Sequence, residues 1–295
     1  MRQMILMVTL IGLLWGLNWP AVKFLLTELP PITMRATAFT FAAALLAVIS
    51  WSRGEALLPA KRDILAILVT GLFLIFGFNV LTAIGQTLTE TSKAAIIAYT
   101  MPALTAGLAV LLLGERLDRR RTAALAIGTA GLAVLASENF AALIADPLGP
   151  VIMFFAALSW ALGNVALKTR NWSLPSLALT VWFFVASALL SWPLAFMLEP
   201  PLPQSWPSTP VLATLVFHIT GPMVVCYALW TVLVGRLIAS VAAIAALLAP
   251  VVGVSSSIIL LGDPLTWQKT ISLAMILASI FLTLSPAKPV SPKAE

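Results

Sequence analysis

Charged side chains are scarce in this chain. They make up 9% of its 295 residues, whereas hydrophobic side chains make up 61% and the mean hydropathy is +1.04. A typical soluble domain is about 25% charged, so the composition excludes an ordinary soluble protein. Apolar runs of about 20 residues can span a bilayer. The chain has room for many such runs, but not for a soluble domain of useful size.

The side chains that usually build catalytic and metal sites are also rare. The chain has one cysteine, Cys226, and one histidine, His218. An intrachain disulfide is therefore impossible, and we expect no zinc site, no other metal site and no cofactor. No catalytic motif is present either, so we predict that the protein is not an enzyme and has no catalytic residues.

Carboxylates are missing from the middle of the apolar runs. All 11 Asp and Glu residues fall in loops or at the ends of the runs. An ionisable residue inside a membrane span is costly and usually marks a substrate or ion path. We therefore expect neither selection of organic cations nor proton coupling through a buried carboxylate.

Ten apolar runs are bounded by turn or charge signals. We predict membrane spans near 4–26, 32–51, 64–85, 91–113, 120–137, 148–169, 176–198, 209–233, 240–261 and 267–285. If the N-terminus is cytoplasmic, cytoplasmic segments hold 13 of the 17 Lys and Arg residues. The opposite side holds Lys23, Arg35, Lys93 and Lys269. This bias predicts cytoplasmic N- and C-termini, and it explains the net charge of +6 without nucleic-acid binding.

A sequence motif occurs twice. Ser-x-Ala-Ala-Ile-x-Ala-x-x-x-Pro begins at Ser92 and again at Ser240, 148 positions later, and each copy is followed by Gly-Glu/Asp-x-Leu. Trp15/Trp160 and Lys23/Lys168 repeat at an offset of 145. Five spans in each half is an odd number, so the halves, 1–140 and 141–295, must cross the membrane in opposite directions. Such inverted repeats are typical of secondary transporters, with the substrate site between the halves.

The doubled motif, the ten spans and the inverted repeat resemble the EamA-type transporters of the drug/metabolite transporter superfamily. Among these, the chain is most similar to the bacterial YddG-type exporters of aromatic and other neutral amino acids. The resemblance implies an all-α integral membrane protein with ten transmembrane helices around a central cavity. It also implies a location in the bacterial inner membrane and efflux of amino acids such as phenylalanine, threonine and methionine. Export of another small metabolite or drug is the alternative.

Pro102 and Pro250 occupy matched positions inside the fourth and ninth predicted spans. Each removes a backbone donor and clashes with the preceding turn. We predict paired kinks that serve as hinges beside the substrate path. The alternative is a pair of packed kinks without a mechanical role, because proline is common in membrane helices.

Polar and aromatic residues near mid-depth are the predicted substrate site. An amino acid needs donors for its carboxylate, acceptors for its ammonium group and an apolar or aromatic wall. The predicted substrate-binding residues are Trp15, Asn18, Phe78, Asn79, Tyr99, Met101, Trp160, Asn164, His218, Ser255 and Ser257. Each asparagine could instead serve only to hold neighbouring helices together. Tyr99 and Met101 correspond to Leu247 and Ala249 in the second copy, and such departures from the repeat are where substrate contacts are expected.

His218 has two interpretations. It either relays protons or contacts substrate, or it is a neutral imidazole that bonds a neighbouring helix. Because buried carboxylates are missing, we expect alternating access in which the substrate gradient drives passage. The sequence does not decide whether transport is also coupled to protons. A receptor would need an extramembrane module that the chain lacks. Two fused halves can form a complete pathway, so we predict a functional monomer whose partners are its substrate and the lipid bilayer.

Overall fold

All regular structure in the computed structural model is helical over the residues it describes, which are 2–89, 91–138, 147–200, 206–238, 242, 246–261 and 265–284. Six helical stretches in this part of the chain are long and apolar enough to cross a membrane: Gln3–Leu25, Pro31–Ser52, Lys61–Leu88, Leu148–Lys168, Ser176–Leu198 and Thr209–Arg236. Met101–Leu113 and Trp267–Thr283 are shorter apolar helices.

Over its described residues, the first half of the chain forms seven α-helices and one π-helical segment. They are α1 (Arg2–Leu25), α2 (Pro31–Ser52), α3 (Ile64–Gly71), π1 (Leu72–Gly77), α4 (Phe78–Leu88), α5 (Thr91–Ala98), α6 (Met101–Leu113) and α7 (Arg119–Ser137). A 3-10 turn, Lys61–Asp63, precedes α3. Because α3, π1 and α4 follow one another without interruption, they form one long helical stretch.

The second half follows the same plan. The elements that the structure describes there are α8 (Leu148–Lys168), α9 (Ser176–Leu198), α10 (Thr209–His218), π2 (Ile219–Cys226), α11 (Tyr227–Arg236), α12 (Leu248–Leu261) and α13 (Trp267–Leu284). The stretch from α10 to α11 is again continuous, with a π-helical segment in its middle.

Local chemistry explains several helix ends. Pro31 is the first residue of α2, where its missing N–H costs nothing. The Glu199 carboxylate accepts hydrogen bonds from the backbone N–H groups of Ile32 and Thr33 and so satisfies donors at the start of α2. Gly114 ends α6 in a left-handed conformation with φ of 64°, which glycine adopts without steric cost.

The fourth predicted span is interrupted, not kinked. Helix α5 ends at Ala98 and α6 begins at Met101, so Pro102 is the second residue of a new helix. The predicted position of Pro102 inside a helix is therefore corrected to the first turn of a helix, which proline fits far better than a helix interior, and its role as a hinge stays a prediction. Pro250 likewise lies in the first turn of α12, directly after a turn at Ala246 and Leu247.

The two π-helical segments were not predicted from the sequence. They occupy equivalent places in the third helical stretch of each half. π-helical turns are uncommon and frequently mark functional sites. The first turns of α4 and α11, which follow them, contain Phe78, Asn79 and Tyr227, and these residues line the cavity described below.

The helices pack in exchanged pairs, in each of which a helix of the first half of the chain packs against a helix of the second half. Helix α1 packs on α12 and α8 packs on α6, while α2 packs on α9 and α7 on α13. Helix α1 also contacts π2, and α8 contacts π1. The small residues of α7 meet α13, since a Cβ added to Gly128 would lie 2.8 Å from Ser279 Oγ. Gly128 and Gly131 of α7 therefore pack against α13 within the chain.

Candidate functional site

A cavity lies where the exchanged helix pairs meet. Its empty space is about 580 Å³, including the part that opens toward solvent. The lining comes from α1, α2, α4, the break between α5 and α6, α8, π2, α11 and the start of α12. The lining residues are Trp15, Asn18, Trp19, Val22, Arg35, Phe78, Asn79, Thr82, Gln86, Tyr99, Met101, Trp160, Met223, Tyr227, Ala246 and Ala249.

Seven of the predicted site residues line this cavity. They are Trp15, Asn18, Phe78, Asn79, Tyr99, Met101 and Trp160. Tyr99 lies in the break between α5 and α6, and Met101 is the first residue of α6. The interruption therefore places both residues in the cavity wall. The N-terminal end of a broken helix exposes backbone N–H groups inside a membrane protein, which is tolerated where it lines a cavity.

Aromatic rings form one wall of the cavity. Trp15 lies 5.5 Å from Tyr227 in an edge-to-face arrangement, and Phe78 lies 6.3 Å from Trp160. Trp19 contacts Tyr99 edge-on at 5.7 Å. These ring distances are in the range in which aromatic pairs attract each other. The wall offers both apolar surface and ring faces to a bound molecule.

A polar network forms another wall. Arg35 Nη1 lies 3.0 Å from His218 Nε2, and Arg35 Nη2 donates to Thr82 Oγ1 at 3.3 Å. His218 Nδ1 lies 2.7 Å from Asn18 Oδ1. Arg35 and His218 are both buried. The network joins α1, α2, α4 and α10.

The network assigns the tautomer of His218. A guanidinium group only donates hydrogen bonds, so His218 Nε2 must be the acceptor. The ring proton therefore lies on Nδ1 and is donated to Asn18 Oδ1. With this tautomer, His218 is a neutral imidazole that links Arg35 to Asn18.

Asn79 connects the two halves directly. Its Nδ2 donates to the Tyr227 hydroxyl at 2.7 Å and to the Ile75 carbonyl at 2.8 Å. Thr82 Oγ1 donates to the Asn79 carbonyl at 2.9 Å. Asn79 is therefore both part of the lining and part of the support of the polar wall.

Three predicted site residues lie outside the lining. Asn164 is buried, where its Oδ1 accepts from Trp230 Nε1 at 2.8 Å and its Nδ2 donates to the Trp160 carbonyl. His218 lies behind Arg35 and does not reach the cavity surface. Ser255 lies farther along α12 than Ala249 and does not contribute to the wall. The side chain of Ser257 lies outside the described residues.

Arg35 is the most consequential residue that the sequence reasoning missed as part of the site. The charge distribution places Arg35 on the outer side because it lies near the start of a span, yet only 2% of its surface is exposed. Its neighbours in sequence, Met34 and Ala36, are apolar and buried, and a cation inside an apolar run is the signal that could have found it. The sequence reasoning also missed Trp19, Val22, Thr82, Gln86, Met223, Tyr227 and Ala246.

An ionisable group outside the spans ties two loops together. Ser208 donates to the Glu28 carboxylate through its backbone N–H and its hydroxyl, both at 2.7 Å. These bonds stabilise the charged form and lower the pKa of Glu28.

Within the part of the chain that the structure describes, no cluster of three or more His, Cys, Asp or Glu side chains could hold a metal ion.

Apolar helices around a cavity with a mixed polar and aromatic wall are the arrangement of a membrane transporter. The chain belongs to the EamA-like transporter family, whose profile matches residues 2–137 and 147–285. It is 26% identical to the uncharacterized transporter YvbV of Bacillus subtilis over 96% of this chain and 92% of that protein.

The names of two other similar proteins indicate a role or a cellular location. A probable amino-acid metabolite efflux pump of Salmonella typhimurium is 26% identical over 93% of this chain and 92% of that protein. The uncharacterized inner membrane transporter YedA of Escherichia coli is 25% identical over 94% of this chain and 91% of that protein. A solved crystal structure superimposes with a TM-score of 0.74 at 22% identity, covering 94% of this chain and 96% of that one. The structural likeness supports the fold.

Proposed function

We propose that this protein exports neutral amino acids, including phenylalanine, threonine and methionine, across the bacterial inner membrane. The observation that carries the proposal is a cavity that combines an aromatic wall with buried polar groups. Such a mixture suits a molecule with an apolar side chain and a polar backbone end. The names of the Salmonella efflux pump and of YedA support the substrate class and the inner-membrane location.

Two inverted halves with ten spans are part of the proposal. Equivalent residues make equivalent contacts: Lys23 Nζ donates to the Gln86 carbonyl, and Lys168 Nζ donates to the Val234 carbonyl. The starts of the third helical stretches are held alike, with Ala60 N–H bonded to Ser173 and Ser208 N–H bonded to Glu28. These pairs follow the repeat offsets of 145 and 148, and they support halves at 1–140 and 141–295 related by a pseudo-two-fold axis.

Alternating access would move substrate through the cavity. With cytoplasmic termini, the cavity reaches toward the periplasmic side, since Val22, Arg35 and Gln86 lie near the periplasmic ends of their helices. On the cytoplasmic side, Trp160 and Trp230 lie 5.0 Å apart and are almost fully buried. Opening this aromatic contact while the periplasmic side closes would admit substrate from the cytoplasm, and the reverse change would release it to the periplasm. One chain contains both halves, so a monomer suffices.

Counterflow in liposomes tests the function. Purified protein is reconstituted with unlabelled threonine, methionine or phenylalanine inside, and uptake of the same labelled amino acid is measured. We expect uptake well above that of empty liposomes, and competition by amino acids but not by organic cations or sugar nucleotides. No amino-acid uptake would contradict the proposal, and competition by another class would favour the alternative substrate.

The cavity itself is tested with matched tryptophan variants. Trp160→Phe shrinks the aromatic wall, whereas Trp206→Phe makes the same change at a residue that is 91% exposed. We expect a higher KM for phenylalanine in the first variant and no change in the second. Equal KM values in both variants would show that substrate does not pass along this wall.

A further inference from the structure

Arg35 brings a positive charge into the cavity wall, where the described residues give it no negative partner. It lies in the first turns of α2, and 2% of its surface is exposed. No carboxylate in the described part of the chain forms an ion pair with it. A buried charge without a counter-charge is costly. An anion bound in the cavity would offset that cost.

The contacts of Arg35 leave part of its guanidinium group available. Nη1 and Nη2 are bonded to the neutral groups of His218 and Thr82. The buried Nε atom has no hydrogen-bond partner among the described residues. A guanidinium group binds a planar carboxylate through its fork of N–H donors. Arg35 is thus held in place by neutral partners and retains donor capacity for a ligand.

Gln86 provides a hydrogen-bond acceptor in the wall of the same cavity. Its side chain is 1% exposed, and its Oε1 atom accepts no hydrogen bond from the described residues. A buried acceptor without a donor is also costly. An ammonium group can donate to this oxygen and can contact the faces of the tryptophan rings that line the same cavity. Arg35 and Gln86, which both line the cavity, therefore carry a buried donor and a buried acceptor that are unpaired among the described residues.

We propose that Arg35 binds the carboxylate of the amino-acid substrate and that Gln86 Oε1 accepts a hydrogen bond from its ammonium group; this inference rests on the proposed function. His218 is a positioning residue that orients the guanidinium from behind. The charge of Arg35 sets the specificity: a ligand with a carboxylate neutralises it, and an amine without one adds a second positive charge to the cavity. The transporter should therefore reject simple amines that carry the same side chain as a transported amino acid.

A ligand series on the wild-type protein tests this without any variant. Labelled phenylalanine counterflow is competed with phenylalanine, with phenethylamine, which lacks the carboxylate, and with 3-phenylpropionate, which lacks the ammonium group. We expect each truncated compound to inhibit at least about tenfold more weakly, because hydrogen bonds to charged groups are worth that much or more. Equal inhibition by phenethylamine would overturn the role of Arg35, and equal inhibition by 3-phenylpropionate would overturn that of Gln86.

Substitutions of single residues test which side chains cause the preference for phenylalanine over phenethylamine. Arg35→Gln should raise the KM for phenylalanine at least about tenfold and abolish the preference for phenylalanine over phenethylamine. Arg53→Gln, which removes a positive charge from the exposed far end of α2, should change neither. His218→Gln should raise the KM for phenylalanine while leaving the maximal rate and the inhibition by phenethylamine unchanged. A fall in the maximal rate alone would mean that His218 has only a structural role.

The two proposals fail in different ways. A wild-type protein that transports no amino acid contradicts the proposed function. A wild-type protein that transports phenylalanine but does not distinguish it from phenethylamine leaves the function standing and contradicts the assignment of Arg35. If Arg35→Gln does not fold, the wild-type ligand series still decides.

Discussion

Asn79 donates a 2.7 Å hydrogen bond to the hydroxyl of Tyr227, a residue that lies 148 positions later in the chain. The same offset relates Ser92 to Ser240 in the repeated motif. Asn79 and Tyr227 are therefore counterparts, and each follows a π-helical segment by one or two residues. A residue that contacts its own counterpart lies on the two-fold axis that relates them. The proposed pseudo-two-fold axis would pass through this bond, at the wall of the cavity.

The Asn79–Tyr227 bond is expected to stabilise the contact between the halves. Tyr227→Phe removes the acceptor and should lower the free energy of unfolding by about 1 kcal/mol. A double-mutant cycle with Asn79→Ala should give a coupling energy of at least about 0.5 kcal/mol, measured from unfolding in detergent. Additive effects of the two substitutions would contradict a direct bond.

Asn164 is expected to support the fold rather than contact substrate. Asn164→Leu leaves Trp230 Nε1 without its acceptor, and a buried unpaired polar group costs about 1–3 kcal/mol. The variant should unfold at lower temperature but keep the wild-type KM for phenylalanine. A raised KM with unchanged thermal stability would instead support the predicted role of Asn164 in the site.

Gly163 permits the close approach of α8 to π1. A Cβ at this position would lie 2.4 Å from the backbone N and Cα of Leu74. Gly163→Ala should therefore destabilise the protein by at least about 1–3 kcal/mol through overpacking. Gly107→Ala is the matched control, because nothing lies within 4 Å of its added Cβ. We expect that substitution to be neutral or stabilising, and thermal unfolding of the two variants makes the comparison.

The predicted orientation can be tested by labelling in intact cells. Cys226, the single cysteine of the chain, is first replaced by serine. Thr27→Cys then places a thiol in the exposed loop after α1, and Ser52→Cys places one at the exposed end of α2. With a cytoplasmic N-terminus, a membrane-impermeant maleimide should label only the first variant. Labelling of only the second would reverse the topology.

The bond between Glu28 and Ser208 should make stability sensitive to acid. Because the pKa of Glu28 is lowered in the folded state, its contribution is complete above the unfolded value of about 4.3. The contribution is lost as the pH falls through the lower, folded value. The difference in melting temperature between the wild type and Glu28→Gln should therefore shrink in acid. A difference that stays constant down to pH values well below about 4 would contradict this linkage.

Much of the architecture could be predicted because it follows from features that are local in sequence. Apolar runs must be helical in a bilayer, since only internal hydrogen bonds can satisfy the backbone there. The repeated motif and the distribution of charge then indicated the two halves. The same local reasoning failed at Pro102, because sequence alone did not distinguish a kinked helix from a second helix that starts at the proline.

The site could be predicted only in part, for a physical reason. Trp15, Tyr99 and Trp160 stood out as polar-tipped or large aromatic residues in apolar runs, and they line the cavity. Asn164 had the same signal, yet it is bonded to Trp230 from a neighbouring helix. Periodicity tells which residues share a helix face, but not which neighbouring helix satisfies a polar group on that face.

The sequence by itself determined that this chain is a helical membrane protein with two related halves, because composition and repetition are properties of the chain alone. Only the tertiary structure decided that Arg35 lies in the cavity wall and is held by His218, 183 positions away. That pairing depends on how α2, α4 and α10 pack against one another. A charge near the end of a span looks the same in sequence whether it faces water or a substrate.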